Sequence, residues 1–226
     1  MAHVAVAANF AEPMEVLASE LRASTGHELR IAVGPSGSLY AQIVNGAPFD
    51  VFLSADQDRP SALAETGHSV AGTQFTYAEG QLALWSSAPG LNLVNGKGLL
   101  DAGVRKVALA NAKLAPYGLA AEQTLQAMGL GQKLDGKLVR GNSIGQTFSM
   151  VASGNAEAGF VALSQVISGP YAQTGSLWPV PARLHDPIRQ DAVLLKHGQA
   201  NPAALAFMKL LGQASTREKL ATFGYR

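Results

Sequence analysis

The chain has 226 residues, 47% of them apolar and 15% charged, with 24 Gly, 11 Pro and no Cys. Its 17 basic and 16 acidic residues leave a formal net charge of +1. These figures exclude a largely disordered chain, a dense phosphate-neutralising surface for nucleic acid, a disulfide framework, and thiolate or Cys-ligated metal chemistry. Aromatic residues, at 7%, are too sparse for a base-stacking surface. No apolar run approaches the roughly 18–20 residues that span a bilayer. Met1-Ala2-His3 leads straight into a strand pattern, without the basic start and cleavage site of a secretory leader. Either the protein is cytoplasmic, or Met1 stands where a leader was removed.

Val4 and Val6 predict a short buried strand ending at Asn9. Met14, Leu17, Ala18 and Leu21 then follow helical spacing, with Pro13 in the first turn, where it is tolerated. Thr25-Gly26-His27 stops that helix, and Leu29, Ile31 and Val33 alternate as a second strand. After Gly34-Pro35-Ser36-Gly37-Ser38, a helix carries Leu39 and Ile43, ends at Asn45-Gly46, and yields to a strand at Val51-Phe52-Leu53. This β-α-β-α-β order predicts a parallel sheet with right-handed crossovers. Phe75 to Trp85 reads as extended, broken at Glu79-Gly80. A second set follows the turns at Pro89-Gly90 and Asn95-Gly96. It has a strand at Val107 to Ala110, a helix from Pro116 to Met128 and a strand at Leu138-Val139. A helix through Ile144, Phe148 and Val151 and a strand from Gly159 to Leu163 complete it. Residues 186–195 turn extended again, and Ala204, Phe207, Met208 and Leu211 mark a last helix.

The pattern predicts an α/β protein of two lobes, each a mainly parallel sheet flanked by helices, joined by two crossing strands. Lobe 1 takes residues 1–79, lobe 2 residues 80–186, and residues 187–226 return to lobe 1 with the C-terminal helix. Trp85 and Trp178 read as packing residues within this scheme.

Four strands end in small or polar residues that lead into a helix: Ala8-Asn9, Pro35-Ser36-Gly37, Ala115-Pro116-Tyr117-Gly118 and Asn142-Ser143-Ile144-Gly145. Ligands of α/β sheets bind beyond the carboxyl ends of strands. Helix N-termini present unpaired N–H groups and partial positive charge, which suit an anion. Ordinary capping by Ser and Asn accounts for each turn taken singly.

Gly141-Asn142-Ser143-Ile144-Gly145 also matches the G-x-S-x-G nucleophile elbow, and Asp186 or Asp191 and then His197 follow in the triad's order. A small α/β serine hydrolase using Ser143 is therefore the alternative reading. Against it, Asp135, Lys137 and Arg140 surround a short strand that suits a sheet edge. Gly96-Lys97-Gly98 lacks the third Gly of a dinucleotide loop. His3, His27, His68, His185 and His197 lack metal-ligand spacing, and Asp50, Asp56 and Asp58 read as caps and surface groups.

Val6-Ala7-Ala8-Asn9-Phe10, the Ser36-Gly37 turn and the stretch from Gly46 to Asp56 together resemble the periplasmic molybdate-binding proteins of ABC importers. The similarity continues through Ala115 to Gly118, Asn142 to Gly145 and Gly159 to Ala162, and ends at Phe223-Gly224-Tyr225. The resemblance implies a two-lobed, extracytoplasmic binding protein, not an enzyme and without a cofactor or directly ligated metal. It would hold molybdate or tungstate in an interlobe cleft and deliver it, as a monomer, to an ABC permease. The family's contact positions fall on Ala8, Asn9, Ser36, Tyr117 and Ile144, all implied as backbone N–H donors, with a further hydroxyl bond from Ser36. Many relatives carry Ser or Thr at the position of Ala8 and Tyr at that of Ala162, so two side-chain donors are missing here. Residues 75–84 and 189–195 become candidate hinges.

Overall fold

A computed structural model of the protein describes residues 1–167, 169–172 and 174–226. In chain order the elements begin with β1 (Ala2–Ala7), a 3-10 turn at Ala8–Phe10, α1 (Ala11–Thr25), β2 (Leu29–Gly34) and α2 (Ser36–Val44). They continue with β3 (Val51–Leu53), α3 (Asp58–Glu65), β4 (Phe75–Gly80), β5 (Leu82–Ser86), β6 (Val107–Ala110) and α4 (Pro116–Ala127). Next come the short α5 (Gly131–Leu134), β7 (Leu138–Gly141), α6 (Ile144–Ala152), β8 (Ala158–Ala162) and β9 (Ser176–Pro179). The chain closes with β10 (Ile188–Leu194), α7 (Pro202–Leu211) and α8 (Ala214–Thr222).

The chain divides into two compact units, one of Met1–Glu79 with Arg189–Arg226, the other of Gly80–Ile188. Each holds one five-stranded sheet, ordered β2-β1-β3-β10-β4 in the first and β7-β6-β8-β5-β9 in the second. In both, three neighbouring strands are parallel and the fourth is antiparallel: β10 against β3, and β5 against β8. The sheets are therefore mixed, and in each the three strands that carry the β-α rhythm run parallel.

In the first unit, alternation along the central strands sends side chains into a core on each face of the sheet. Val4, Val6, Val51, Leu53, Ala192 and Leu194 meet Phe10, Met14, Leu17 and Leu21 of the α1 region and Phe207 and Leu211 of α7. Ala5, Phe52, Val193 and Leu195 meet Leu39 and Ile43 of α2 and Leu63 of α3 on the other face. Helices on both faces follow from the order β2-β1-β3, because two right-handed crossovers that step in opposite directions cover opposite faces. β2, at the edge, leaves Val33 51% exposed although it belongs to the alternating set.

In the second unit, Trp85 stacks on Phe148, with centroids 5.4 Å apart, and meets Tyr171 edge-on. These rings close the core that α6 builds with Ala83, Ala108 and Val161. β7 is an edge strand, which accounts for the charged residues around it.

Glu157, just before β8, ties that strand to the start of β6. Its Oε2 accepts the N–H groups of Arg105 (3.0 Å) and Lys106 (2.7 Å). The Lys106 bond is the main cause that holds its carboxyl below the usual glutamate range, against a smaller opposing effect of burial. A carboxylate with a depressed folded-state pKa adds stability above its unfolded pKa, and that stability is lost as pH falls through the folded value. Glu157→Gln is therefore expected to lower the urea midpoint at pH 7, and the gap to wild type should shrink below about pH 4. A gap that stays constant between acid and neutral pH would contradict the role.

Candidate functional site

Parallel pairing places equivalent strand ends together. β1 pairs with β2 from Ala2↔Leu29 to Ala7↔Gly34, and with β3 from Val4↔Val51 to Val6↔Leu53. The carboxyl ends of all three strands, and so Ala8-Asn9, Pro35-Ser36 and Ser54-Ala55, share one edge of this sheet. The second unit repeats the arrangement. β6 pairs with β7 from Val107↔Leu138 to Ala110↔Gly141, and with β8 at Val107↔Ala158 and Ala108↔Gly159. Tyr117 at the start of α4, Ile144 at the start of α6 and Ala162 at the end of β8 therefore gather at the corresponding edge.

Ser36 opens α2 after Pro35, whose carbonyl accepts from the N–H groups of Ser38 and Leu39. The Ser36 and Gly37 N–H groups lie ahead of the first intrahelical acceptor, so they are the ones the helix can offer outward. The Ser36 hydroxyl is buried and accepts the Ala55 N–H at 3.0 Å. With that lone pair engaged, its one proton is available to donate. Ala55 thus sets the direction of the Ser36 hydroxyl from a strand end 19 residues away.

Asn9 is buried, and both hydrogens of its amide are spent inside the unit. Nδ2 donates to Gln190 Oε1 at 2.8 Å and to the Tyr225 hydroxyl at 3.1 Å. Its side-chain amide hydrogens therefore serve the fold of this unit. Ala8, just after β1, has no polar side chain.

In the second unit, Pro116 has no N–H, so Tyr117 carries the first one of α4. Close approach of this turn to β6 requires glycine: a Cβ at Gly118 would lie 2.3 Å from the Ala110 carbonyl oxygen. The Ser143 hydroxyl caps α6 by accepting the Gln146 N–H at 3.0 Å, and Gln146 Oε1 accepts the Asn142 N–H at 2.6 Å. That reciprocal cap leaves the Ile144 and Gly145 N–H groups at the tip of the helix. Gln165 braces the neighbouring strand end, its Oε1 accepting the Ala162 N–H at 3.0 Å.

The hydrolase alternative fails on these contacts. Ser143 is a helix cap, and Gly141 is required because a Cβ there would meet Thr147 Oγ1 at 2.8 Å. His197 pairs through Nδ1 with Asp50 at 2.7 Å. Asp191 accepts from Gln57, Gln74 and Thr76, and Asp186 from Gln123. Asp50 is also no surface group: it is buried and accepts the His3 N–H (2.6 Å) and the Asn201 amide (3.2 Å). Asp56 does cap α3, through the Arg59 N–H. Among the described residues, no group of three or more His, Cys, Asp and Glu is placed to hold a metal ion. No described helix is long and apolar enough to cross a membrane.

The five expected residues thus lie at the strand ends of two separate units, Ala8, Asn9 and Ser36 in one and Tyr117 and Ile144 in the other. Sequence reading missed Ala55 and Gln165, which act on Ser36 and Ala162. The small Ser54-Ala55 pair after β3 follows the same strand-end rule and was open to it; Gln165 left no comparable signal.

A family model for bacterial extracellular solute-binding proteins matches residues 2–226. The chain belongs to that family. It is 48% identical over 222 residues to the molybdate-binding protein ModA of Azotobacter vinelandii, covering 98% of this chain and 88% of that protein. It is 47% identical over 222 residues to ModA of Rhodobacter capsulatus, covering 98% and 86%. The solved structure of the Azotobacter vinelandii periplasmic molybdate-binding protein superposes with a TM-score of 0.95 at 42% identity, covering 100% of this chain and 99% of that one. This solute-binding protein is a transport component, not an enzyme.

Ser143→Ala is expected to cost about 1 kcal/mol of stability through loss of the cap. Urea unfolding measures it, and a fluorophosphonate probe should leave Ser143 of the wild type unlabelled. Labelling at Ser143 would revive the hydrolase.

Proposed function

We propose that the protein captures molybdate or tungstate outside the cytoplasm and delivers it, as a monomer, to an ABC permease. Ala8, Asn9, Ser36, Tyr117 and Ile144 are the proposed backbone N–H donors to the anion, and Ser36 adds its hydroxyl. The periplasm is the proposed compartment. Residues 75–84 and 189–195 are the proposed hinges.

The observation that supports this reading is the gathering of uncharged helix starts at the strand ends of each unit, met in a chain nearly half identical to named molybdate binders across its length. A fully deprotonated oxyanion accepts at every oxygen, and hydrogen bonds to charged groups contribute roughly 1.5–3 kcal/mol each. Several of them hold a dianion without Lys or Arg. A protonated phosphate brings a proton for which donors offer no acceptor, and so is rejected. Sulfate is smaller than molybdate, so a ring of fixed donors set for the larger ion meets it at longer distances.

Calorimetry tests the reading directly. Molybdate and tungstate are expected to bind, sulfate more weakly, and phosphate least. Silence with molybdate and tungstate beside clear binding of another anion or a sugar would overturn it. Ser36→Ala is expected to weaken molybdate binding by about 1–3 kcal/mol; an unchanged affinity would remove Ser36 from the site.

A further inference from the structure

Beneath Ala8-Asn9 lies a buried polar cluster drawn from four separate stretches of the chain. The Tyr225 hydroxyl donates to the Asn9 carbonyl oxygen at 2.8 Å and accepts from Asn9 Nδ2 at 3.1 Å. Asn9 Nδ2 also donates to Gln190 Oε1 at 2.8 Å. The Tyr77 hydroxyl lies 3.0 Å from the same Gln190 oxygen and 3.3 Å from the Ser54 carbonyl oxygen. Phe10 packs edge-on against Tyr77 and Tyr225, with centroids 4.8 and 5.4 Å away, which excludes water from these bonds. One residue further, Arg226 exchanges both backbone hydrogen bonds with Glu79, at 2.8 and 3.0 Å.

The placement of these residues in the chain is informative. Tyr77 on β4 and Gln190 on β10 stand within two residues of the points where the chain leaves and re-enters this unit. Tyr225 is the penultimate residue. Its hydroxyl grips the Asn9 side chain and the Asn9 carbonyl together, so the peptide after Asn9 is held by the last turn of the protein.

We infer that Tyr225 is a positioning residue for the oxyanion turn. Through Asn9 it fixes the direction of the Ala8 and Asn9 donors, and Gln190 and Tyr77 tie that turn to both crossing strands. The inference rests on the oxyanion reading and deepens it: the stiffness needed to tell molybdate from sulfate comes from the C-terminus and the crossing strands. A loosened turn can follow a smaller anion, so its loss narrows selectivity as well as lowering affinity.

Tyr225→Phe keeps the ring against Phe10 and removes the hydroxyl alone. It is expected to weaken molybdate binding about tenfold, the loss of one or two buried hydrogen bonds, and to reduce the molybdate-over-sulfate affinity ratio severalfold. Thr216→Val is the matched control, removing a buried hydroxyl bonded to the Leu210 carbonyl in the same unit, away from the turn. It should lower the urea midpoint and leave both the affinity and the ratio unchanged. An unaltered ratio in Tyr225→Phe, or an equal change in Thr216→Val, would overturn the role. If Tyr225→Phe does not fold, Tyr77→Phe carries the same test with the same expected narrowing. Failure of the wild type itself to bind molybdate would overturn the oxyanion reading, and this inference with it.

Discussion

The first N–H groups of a helix have no acceptor within that helix, and the rest of this structure depends on where such groups are placed. A parallel strand triple with its middle strand first in sequence brings its following turns to one edge of a sheet. The protein builds that triple twice, as β2-β1-β3 and β7-β6-β8. Both times the fourth strand is antiparallel, so it adds width without adding another helix start at the same edge. The pairing order thus decides how many donors gather there. Proline, glycine and serine at the turns decide how closely those donors approach what lies beyond them.

Neutral donors are also how the protein treats its own buried charge. Asp191 sits inside the first unit with Gln57, Gln74 and Thr76 around its carboxylate. Asp50 accepts the His3 N–H and the Asn201 amide. Several modest dipoles replace one strong cation, each bond being directional and hard to reorganise. Balanced net charge is therefore compatible with handling anions. It excludes recognition by massed Lys and Arg, a different physical strategy.

The period of the apolar residues made most of the fold legible. Alternation at Val4 and Val6, and helical spacing at Met14, Leu17 and Leu21, reflect packing that is local along each element and strong. What escaped has little apolar signal to give. α3 buries only Pro60 and Leu63, and α8 only Thr216 and Leu220. Alternation in β2 shows which way side chains point but not how deep they lie, which is why Val33 is half exposed. In the candidate site, Ser36 and Asn9 stood out as turn residues. The atoms that orient Asn9 do not, because Gln190 and Tyr225 arrive by tertiary pairing. No pattern within a helix or strand encodes a bond between residues 9 and 225.

The first unit draws one core from both ends of the chain: residues from Ala2 to Ala78 meet residues from Ala192 to Tyr225. The second unit is continuous from Gly80 to Ile188. During synthesis the second unit can complete its sheet while the first still lacks β10, α7 and α8. Folding of the first unit waits on contacts of the greatest sequence separation the chain offers, and such contacts are slow to form. The hydroxyl of Tyr225 reaches Asn9 only after the whole second unit has been made, so the unit that is begun first is completed after the one inserted in it.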